Sequence, residues 1–335
     1  MCRRLPSGSR ESGLSDAGVR PVVFNVSGEP TIHLVDQATG IARAEGCDLV
    51  ISVGGGSVID AGKAVAGMLA NPGAVRDYLE LAGGGKPLLK RGVPFIAVPT
   101  TAGTGTEVTR NAVLDVPEHK VKASLRSPHL LARLAVVDPE LTLSLPPAMT
   151  ACTGMDALTQ LIEPFVSNAA NPFTDGVCRE GLTRAARSLA RAYRDGSDVA
   201  AREDMALAAL FGGIALANAR LGAVHGFASV LGGTTGHAHG AICGRLLPFV
   251  MEANIRAVHE RGDPTMIQRY IEIARALTGN READAWDGVS WVRGLCAAMK
   301  IPPLRVAGLS TTDCGPLIPL AQRASSMRWI AVPSK

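Results

Sequence analysis

Residues that could do chemistry together stand out in the second half of this sequence. Asp156 and Gln160 are four apart in Thr153-Gly154-Met155-Asp156-Ala157-Leu158-Thr159-Gln160, and on a helix they share one face. His225 in Val224-His225-Gly226 and His239 in Ala238-His239-Gly240 lie 14 residues apart. Between them Leu231-Gly232-Gly233-Thr234-Thr235-Gly236 reads as a flexible turn able to bring them together. One carboxylate and two imidazoles are a common donor set for a catalytic divalent metal with an open position. The plainer alternative is that each histidine is a satisfied core or surface residue, and spacing alone favours that alternative. His33, His119, His129, His237 and His259 have no such partner pattern and read as structural or exposed.

Two further motifs lie in the first half. Val53-Gly54-Gly55-Gly56-Ser57-Val58-Ile59-Asp60-Ala61-Gly62-Lys63 joins a strand to a helix. Its glycines allow close backbone approach, and the free N–H groups at the helix start suit a phosphate or pyrophosphate. It is not the GxGxxG dinucleotide fingerprint, and a tight turn without a ligand would look the same. Pro99-Thr100-Thr101-Ala102-Gly103-Thr104-Gly105-Thr106-Glu107 also follows a strand. It offers hydroxyl and N–H donors at the carboxyl end of a sheet, where ligands bind in open α/β folds. A polar connecting loop is the competing reading.

The elements that must position these motifs alternate at first between strand and helix. Val22-Val23-Phe24 is a short β-rich run, and Thr31 after Pro30 is placed to cap a helix towards Gly46. Strand-length apolar runs follow at Asp48–Val53, Pro94–Pro99 and Leu134–Val137, with a helix pattern from Val58 to about Leu69. Such runs predict a parallel sheet covered on both faces. After Pro146-Pro147 helix periodicity takes over to about residue 300, as in Cys178–Tyr193 and Met266–Leu277. The double proline predicts a boundary between an α/β domain, 1–146 with an atypical stretch over 1–20, and an all-helical domain, 147–335.

Composition bounds the rest. The chain has 335 residues, 47% hydrophobic and 19% charged, enough for a large core and about two domains. Its net charge of +4 is scattered, apart from Arg3 and Arg4, so no nucleic-acid stripe is present. The opening stretch has no apolar segment of the secretory type. Cys2, Cys47, Cys152, Cys178, Cys243, Cys296 and Cys314 are odd in number and form no CxxC pair. They read as reduced thiols of a cytoplasmic protein rather than as disulfides or a Cys-based zinc site. Met205–Ala219 is too short to span a bilayer and reads as a buried core helix.

The glycine motif, the threonine loop, the Thr153–Thr159 segment and the His225…His239 segment occur in an order and spacing that resemble the iron-containing (group III) alcohol dehydrogenase family, from about Val22 to Met327. The resemblance implies an N-terminal α/β dinucleotide-binding domain with a parallel sheet, an all-α C-terminal domain, and an active site between them. It implies NAD or NADP, and Fe²⁺ or Zn²⁺, in a metal-assisted interconversion of an alcohol and its aldehyde or ketone. Gly55, Gly56, Ser57 and Asp60 would bind the cofactor with Thr100, Thr101 and Thr104, and Lys122 would lie near the ribose. Asp156, His225 and His239 would hold the metal, with Gln160 at the fourth position. The implied partners are a small-molecule alcohol or aldehyde and a second copy in a homodimer, without nucleic acid or membrane. Phe165, Phe227 and Leu231 would give the cleft an apolar lining.

The sequence departs from that family at named places. The family has histidine where Gln160 stands, and a neutral amide oxygen is a much poorer ligand than imidazole. Three ligands are also found in related zinc-dependent glycerol dehydrogenases. A further family histidine is Ser229 here, which puts a proton relay at that position in doubt. Val22 reads as the second strand of the family sheet, so a first strand is expected to be missing, and Arg328–Lys335 diverges from the family ending. A truncated or misassigned reading frame is the expectation from these ends. Two alternatives therefore accompany the dehydrogenase reading. One is a metal-free reductase resembling maleylacetate reductases, and the other is a non-catalytic remnant.

Overall fold

The computed structural model describes residues 13–330 apart from 81, 82, 120, 236 and 310. The Arg3–Arg4 pair and the end of the divergent tail (331–335) lie outside the described residues.

Thr31 caps α1 (Ile32–Ala44) by accepting a hydrogen bond from the Leu34 N–H at 3.1 Å, and Ile32, Val35 and Ala38 form its buried face. The chain then forms β1 (Val50–Gly54), turns at Gly55 and enters α2 (Gly56–Ala70) directly. β2 (Phe95–Pro99), β3 (Asn111–Val116), β4 (Val121–Arg126) and β5 (Leu134–Ala135) follow. The parallel sheet has the order β1-β2-β5, with Val50 beside Phe95 and Gly54 beside Pro99. That register brings the turn after β1 and the loop after β2 to one carboxyl edge of the sheet.

Three features of this half differ from expectation. Val22-Val23-Phe24 forms no strand, and Val23 is 61% exposed. Three β-prone residues supply propensity, but without a partner ladder they stay extended coil. The sheet is packed by α2 on the Ser52 and Phe95 side, whereas Ile51, Val53 and Leu134 remain exposed. An antiparallel hairpin, β3–β4, pairs Asn111 with Arg126 and Val116 with Val121. The period-2 burial of Ala112, Leu114 and Val116 was its signal.

From Pro147 onward the chain is helical: α3 (Pro147–Phe165), α4 (Pro172–Arg194), α5 (Val199–Ala219), α6 (Ala223–Thr235), α7 (His239–Arg261), α8 (Pro264–Thr278), α9 (Ala285–Ala298) and α10 (Thr311–Gln322). Proline opens α3 where its missing N–H is no loss. One core runs through these helices, including Met155, Leu158, Leu161, Met205, Leu247 and Ile273. Phe165 and Leu231 belong to this core rather than to a cleft lining. Arg179 and Arg269 lie over the Phe165 ring, and Phe227 packs partly buried against the core. Met205–Ala219 lies in the mostly buried α5, and no single helix among the described residues is long and apolar enough to cross a membrane.

The two halves meet where the threonine loop docks on α5. Gly105 has φ +58°, and a Cβ there would sit 2.6 Å from the Ala209 carbonyl and from Gly213 backbone atoms. Only a residue without a side chain fits both the dihedral and the contact. Gly105→Ala is expected to destabilise the protein by about 2–4 kcal/mol, combining left-handed backbone strain with overpacking. Urea denaturation monitored by circular dichroism measures it, and an unchanged midpoint would show that this junction is soft.

Candidate metal and nucleotide site

Three helices converge on the polar residues of the helical half. α3 presents Asp156, Gln160 and Glu163 at i, i+4 and i+7, so all three lie along one face. α6 carries His225 in its first turn, and His239 is the first residue of α7. The helices take up more of this segment than expected: Leu231–Thr235 continue α6, and of the described residues between the helices only 237 and 238 are non-helical. Gly240 makes the convergence possible. A Cβ at that position would lie 2.1 Å from the Cys152 carbonyl and 3.2 Å from Asp156 Cβ, so the start of α7 can press onto α3 only at a glycine.

The resulting geometry is compact. Asp156 Oδ1 is 3.4 Å from His225 Nε2 and 3.7 Å from His239 Nε2. Cys243, one turn after His239 on α7, places its Sγ 3.6 Å from His239 Nε2. One ligand atom from each of Asp156, His225, His239 and Cys243 falls within 4.8 Å of the others. Asp156, Gln160 and His225 are only 2%, 4% and 6% exposed, whereas the His239 side chain is 36% exposed and gives the cluster its open side.

Glu163 fixes His225. Its Oε2 lies 2.6 Å from His225 Nδ1, and its Oε1 accepts the Val224 N–H at 2.6 Å. A carboxylate on Nδ1 sets the tautomer that leaves Nε2 as a lone-pair donor, the arrangement found behind metal-binding histidines. His225 Nε2, Asp156 Oδ1 and Gln160 Oε1 are buried without a hydrogen-bond partner. Leaving such atoms unpaired in a core is costly. Donor atoms about 2.0–2.3 Å from a tetrahedral ion stand about 3.3–3.7 Å apart, which the Asp156–His225, Asp156–His239 and His239–Cys243 separations match. The residues present therefore fit a divalent metal.

The clustered groups shift one another's ionisation. Burial disfavours charge on Asp156, but the neighbouring His225 and His239 hold its carboxyl below the ordinary range. Burial would also depress His225, yet Cys243, Glu163 and Asp156 lift it well above an ordinary imidazole. His239 is raised against its own burial by Cys243 and Asp156. Burial pushes the Cys243 thiol up, and the two histidines more than reverse that push.

Cys243 and Glu163 escaped the sequence reading. Cysteine rules that search for CxxC spacing miss a thiol whose partners are a histidine four residues back and an aspartate on another helix. The absence of a CxxC pair does not reveal that Cys243 lies beside Asp156, His225 and His239 in a group that could hold a metal ion. Glu163 had a legible signal, the i+7 position on the Asp156 face. Ser229 donates its hydroxyl to the Gly226 carbonyl at 2.9 Å, within its own helix.

The nucleotide half splits its motif residues into a lining and a scaffold. Gly55 opens α2 without a side-chain cap, leaving the first N–H groups free for an anion. Gly55 and Gly56 face Thr101 and Thr104 across gaps a Cβ would fill, and the Thr100 N–H donates to the Gly54 carbonyl at 2.9 Å. Thr100, Thr101, Thr104 and Ser57 are half-buried along this edge. Asp60 is engaged inward: one carboxylate oxygen accepts from Thr106 Oγ1 at 2.5 Å and the other from the Val113 N–H at 3.0 Å. Lys63 is fully buried and donates to the Thr106 carbonyl and hydroxyl, Thr109 Oγ1 and the Asn111 carbonyl, with Asp60 3.2 Å away. Burial pulls the Lys63 amine down, offset in part by Asp60 and Glu107, and burial raises the Glu107 carboxyl. Lys122, on β4, pairs with Glu29 at 3.0 Å. Gly103 packs on Thr153, three residues before Asp156, which brings the threonine loop beside the metal cluster.

Comparisons with known proteins converge on one family. The iron-containing alcohol dehydrogenase model matches residues 8–139, and the model for the C-terminal region of that family matches 150–327. Choline dehydrogenase of Bacillus subtilis (strain 168) is 37% identical over 298 residues, covering 89% of this chain and 73% of that protein. The crystal structure of a 1,3-propanediol oxidoreductase aligns with a TM-score of 0.89 at 33% identity, covering 99% of this chain and 86% of the other. Sulfoacetaldehyde reductase from Bifidobacterium kashiwanohense, in complex with NAD+, aligns with a TM-score of 0.85 at 30% identity, covering 98% and 83%.

Two substitutions test the site's supports. Lys63→Met, which strands Asp60 and Glu107 without their buried cation, is expected to destabilise the protein by about 3–5 kcal/mol in chemical denaturation. A loss within about 0.5 kcal/mol would reduce the amine to a surface-like contact. Glu163→Gln is expected to weaken Zn²⁺ binding about 10–100-fold in chelator competition while leaving the circular dichroism spectrum unchanged. Undiminished affinity would rule out its orienting role.

Proposed function

Because this chain belongs to the iron-containing alcohol dehydrogenase family, we propose that it interconverts a small alcohol and its aldehyde or ketone using NAD, with Asp156, His225 and His239 holding a catalytic divalent metal. One observation carries the metal assignment: Asp156 Oδ1 and His225 Nε2 are buried, 3.4 Å apart and without hydrogen-bond partners, while His239 closes on the same carboxylate. A metal-free electrophile would leave those acceptors unpaired, which weighs against the metal-free reductase reading.

The residues divide the work. Gly55, Gly56 and Ser57 would hold the cofactor pyrophosphate at the start of α2, and Thr100, Thr101 and Thr104 would line its site at the sheet edge. Asp60 and Lys63 hold the threonine loop in place from inside the fold. Glu163 keeps His225 in the tautomer that presents Nε2. The metal, when bound, supplies Lewis acidity at the substrate oxygen, where charge develops during hydride transfer. The part-exposed His239 marks the side from which substrate reaches the site. Relatives named for choline, 1,3-propanediol and sulfoacetaldehyde support a small hydroxyl or carbonyl compound as the substrate class.

The test is NADH and NADPH oxidation by the purified chain with short aldehydes, after anaerobic loading with Fe²⁺ or Zn²⁺ and again with chelator. Metal-dependent NADH turnover is expected, and His239→Ala is expected to lose metal and rate together. Turnover surviving chelation would move the assignment to a metal-free reductase. Folded protein that neither turns over nor binds NADH would refute the enzymatic proposal.

A further inference from the structure

The proposed ligand set has one position to fill, and two side chains compete for it. Gln160 stands on α3 one turn after Asp156, with its amide oxygen buried, unpartnered and beside Gly212 of α5. Cys243 stands on α7 one turn after His239, fully buried, with its Sγ 3.6 Å from His239 Nε2. Its sulfur falls with Asp156, His225 and His239 in one group whose donor atoms are all within 4.8 Å of one another.

We propose that Cys243 is the fourth metal ligand of this chain, giving an Asp156–His225–His239–Cys243 site in which a thiolate takes the place that Gln160 cannot fill. The inference rests on the metal reading above and adds to it the identity of the fourth donor and the resulting metal preference.

Donor strength decides between the candidates. An amide oxygen is a weak donor to a transition metal, whereas thiolate is a strong, soft one. The backbone allows the exchange because both residues occupy i+4 positions after an accepted ligand, each on a helix that already faces the cluster. A set with one sulfur favours Zn²⁺ over Fe²⁺ more strongly than an oxygen and nitrogen set does.

The test reads the metal's neighbours directly, on the full chain. X-ray absorption of the Zn²⁺-loaded protein is expected to show one sulfur at about 2.3 Å beside nitrogen and oxygen at about 2.0–2.2 Å. The Co²⁺-loaded protein is expected to show an intense near-ultraviolet thiolate-to-metal charge-transfer band. C243S is expected to lose both signals and about tenfold or more in Zn²⁺ affinity, whereas Gln160→Ala keeps both and loses less. Stoichiometric Zn²⁺ in the unsubstituted protein with only nitrogen and oxygen neighbours would overturn the Cys243 assignment and leave the metal reading standing. Failure of the unsubstituted protein to hold any metal would overturn both. The spectra of the unsubstituted protein decide the question even where a variant does not fold.

Discussion

A stripe of acceptors on α3 imposes the main constraint on the helical half. Asp156, Gln160 and Glu163 face inward among Met155, Leu158 and Leu161, where water is excluded and every unpaired polar atom is unfavourable. Helices that reach this stripe must bring donors. α6 answers Glu163 twice, with the Val224 N–H and the His225 ring, and that pairing sets the height at which α6 crosses α3. α7 answers Asp156 by starting at His239, with Gly240 pressed against the Cys152 carbonyl. The residual unpaired atoms, Asp156 Oδ1, His225 Nε2 and Gln160 Oε1, are what remains when each helix is in place. Concentrated unsatisfied polarity in an otherwise well-packed core is what a metal-binding scaffold requires.

The nucleotide half solves a related problem with the opposite charge. Lys63 is buried in α2, and its ammonium donors are taken by the loop that follows β2. That loop cannot move without unpairing a buried cation, so the helix start at Gly55 and the hydroxyls of Thr100, Thr101 and Thr104 form one rigid edge. Gly105 then carries the edge onto α5, and Gly103 carries it onto α3 beside Asp156. A helix N-terminus suited to phosphate and a cluster suited to metal are thus held in fixed relation by a lysine and two glycines, none of which needs to touch a substrate.

Much of this was legible in the chain. The apolar runs after Asp48 and Pro94, the cap at Thr31 and the proline pair before α3 are local signals, and each became the element that its residues favour. Asp156, His225 and His239 were legible through spacing and family resemblance, and the fold brings them together. Failures occurred where the decisive partner is distant. Val22–Phe24 has strand propensity without a neighbouring ladder. Asp60 sits in a motif that suggests ligand contact, but its partners Thr106 and Val113 arrive from some 50 residues away and turn it inward. The glycines of 232–233 suggested a hinge, yet packing keeps them helical. Cys243 was read with the other cysteines along the chain, and its neighbours become visible only when α7 lies on α3.

That last case bears on how such a site can change. Its proposed donors would come from two i, i+4 pairs, Asp156 with Gln160 on α3 and His239 with Cys243 on α7, plus His225 held from behind by Glu163. Each i+4 residue is buried one turn from a proposed donor, so a fourth donor could come from either helix. What changes is chemistry: one is a neutral amide and the other a thiol, and the charge and softness of the set depend on which helix supplies the fourth atom. Glycines at 212, 240 and 244 keep the helices close enough for this, because a Cβ at each would press on Gln160, on Asp156 and its turn, or on Met155. On the proposed reading the scaffold sets where a metal would sit, while the residue one turn along either helix would set which metal that place prefers.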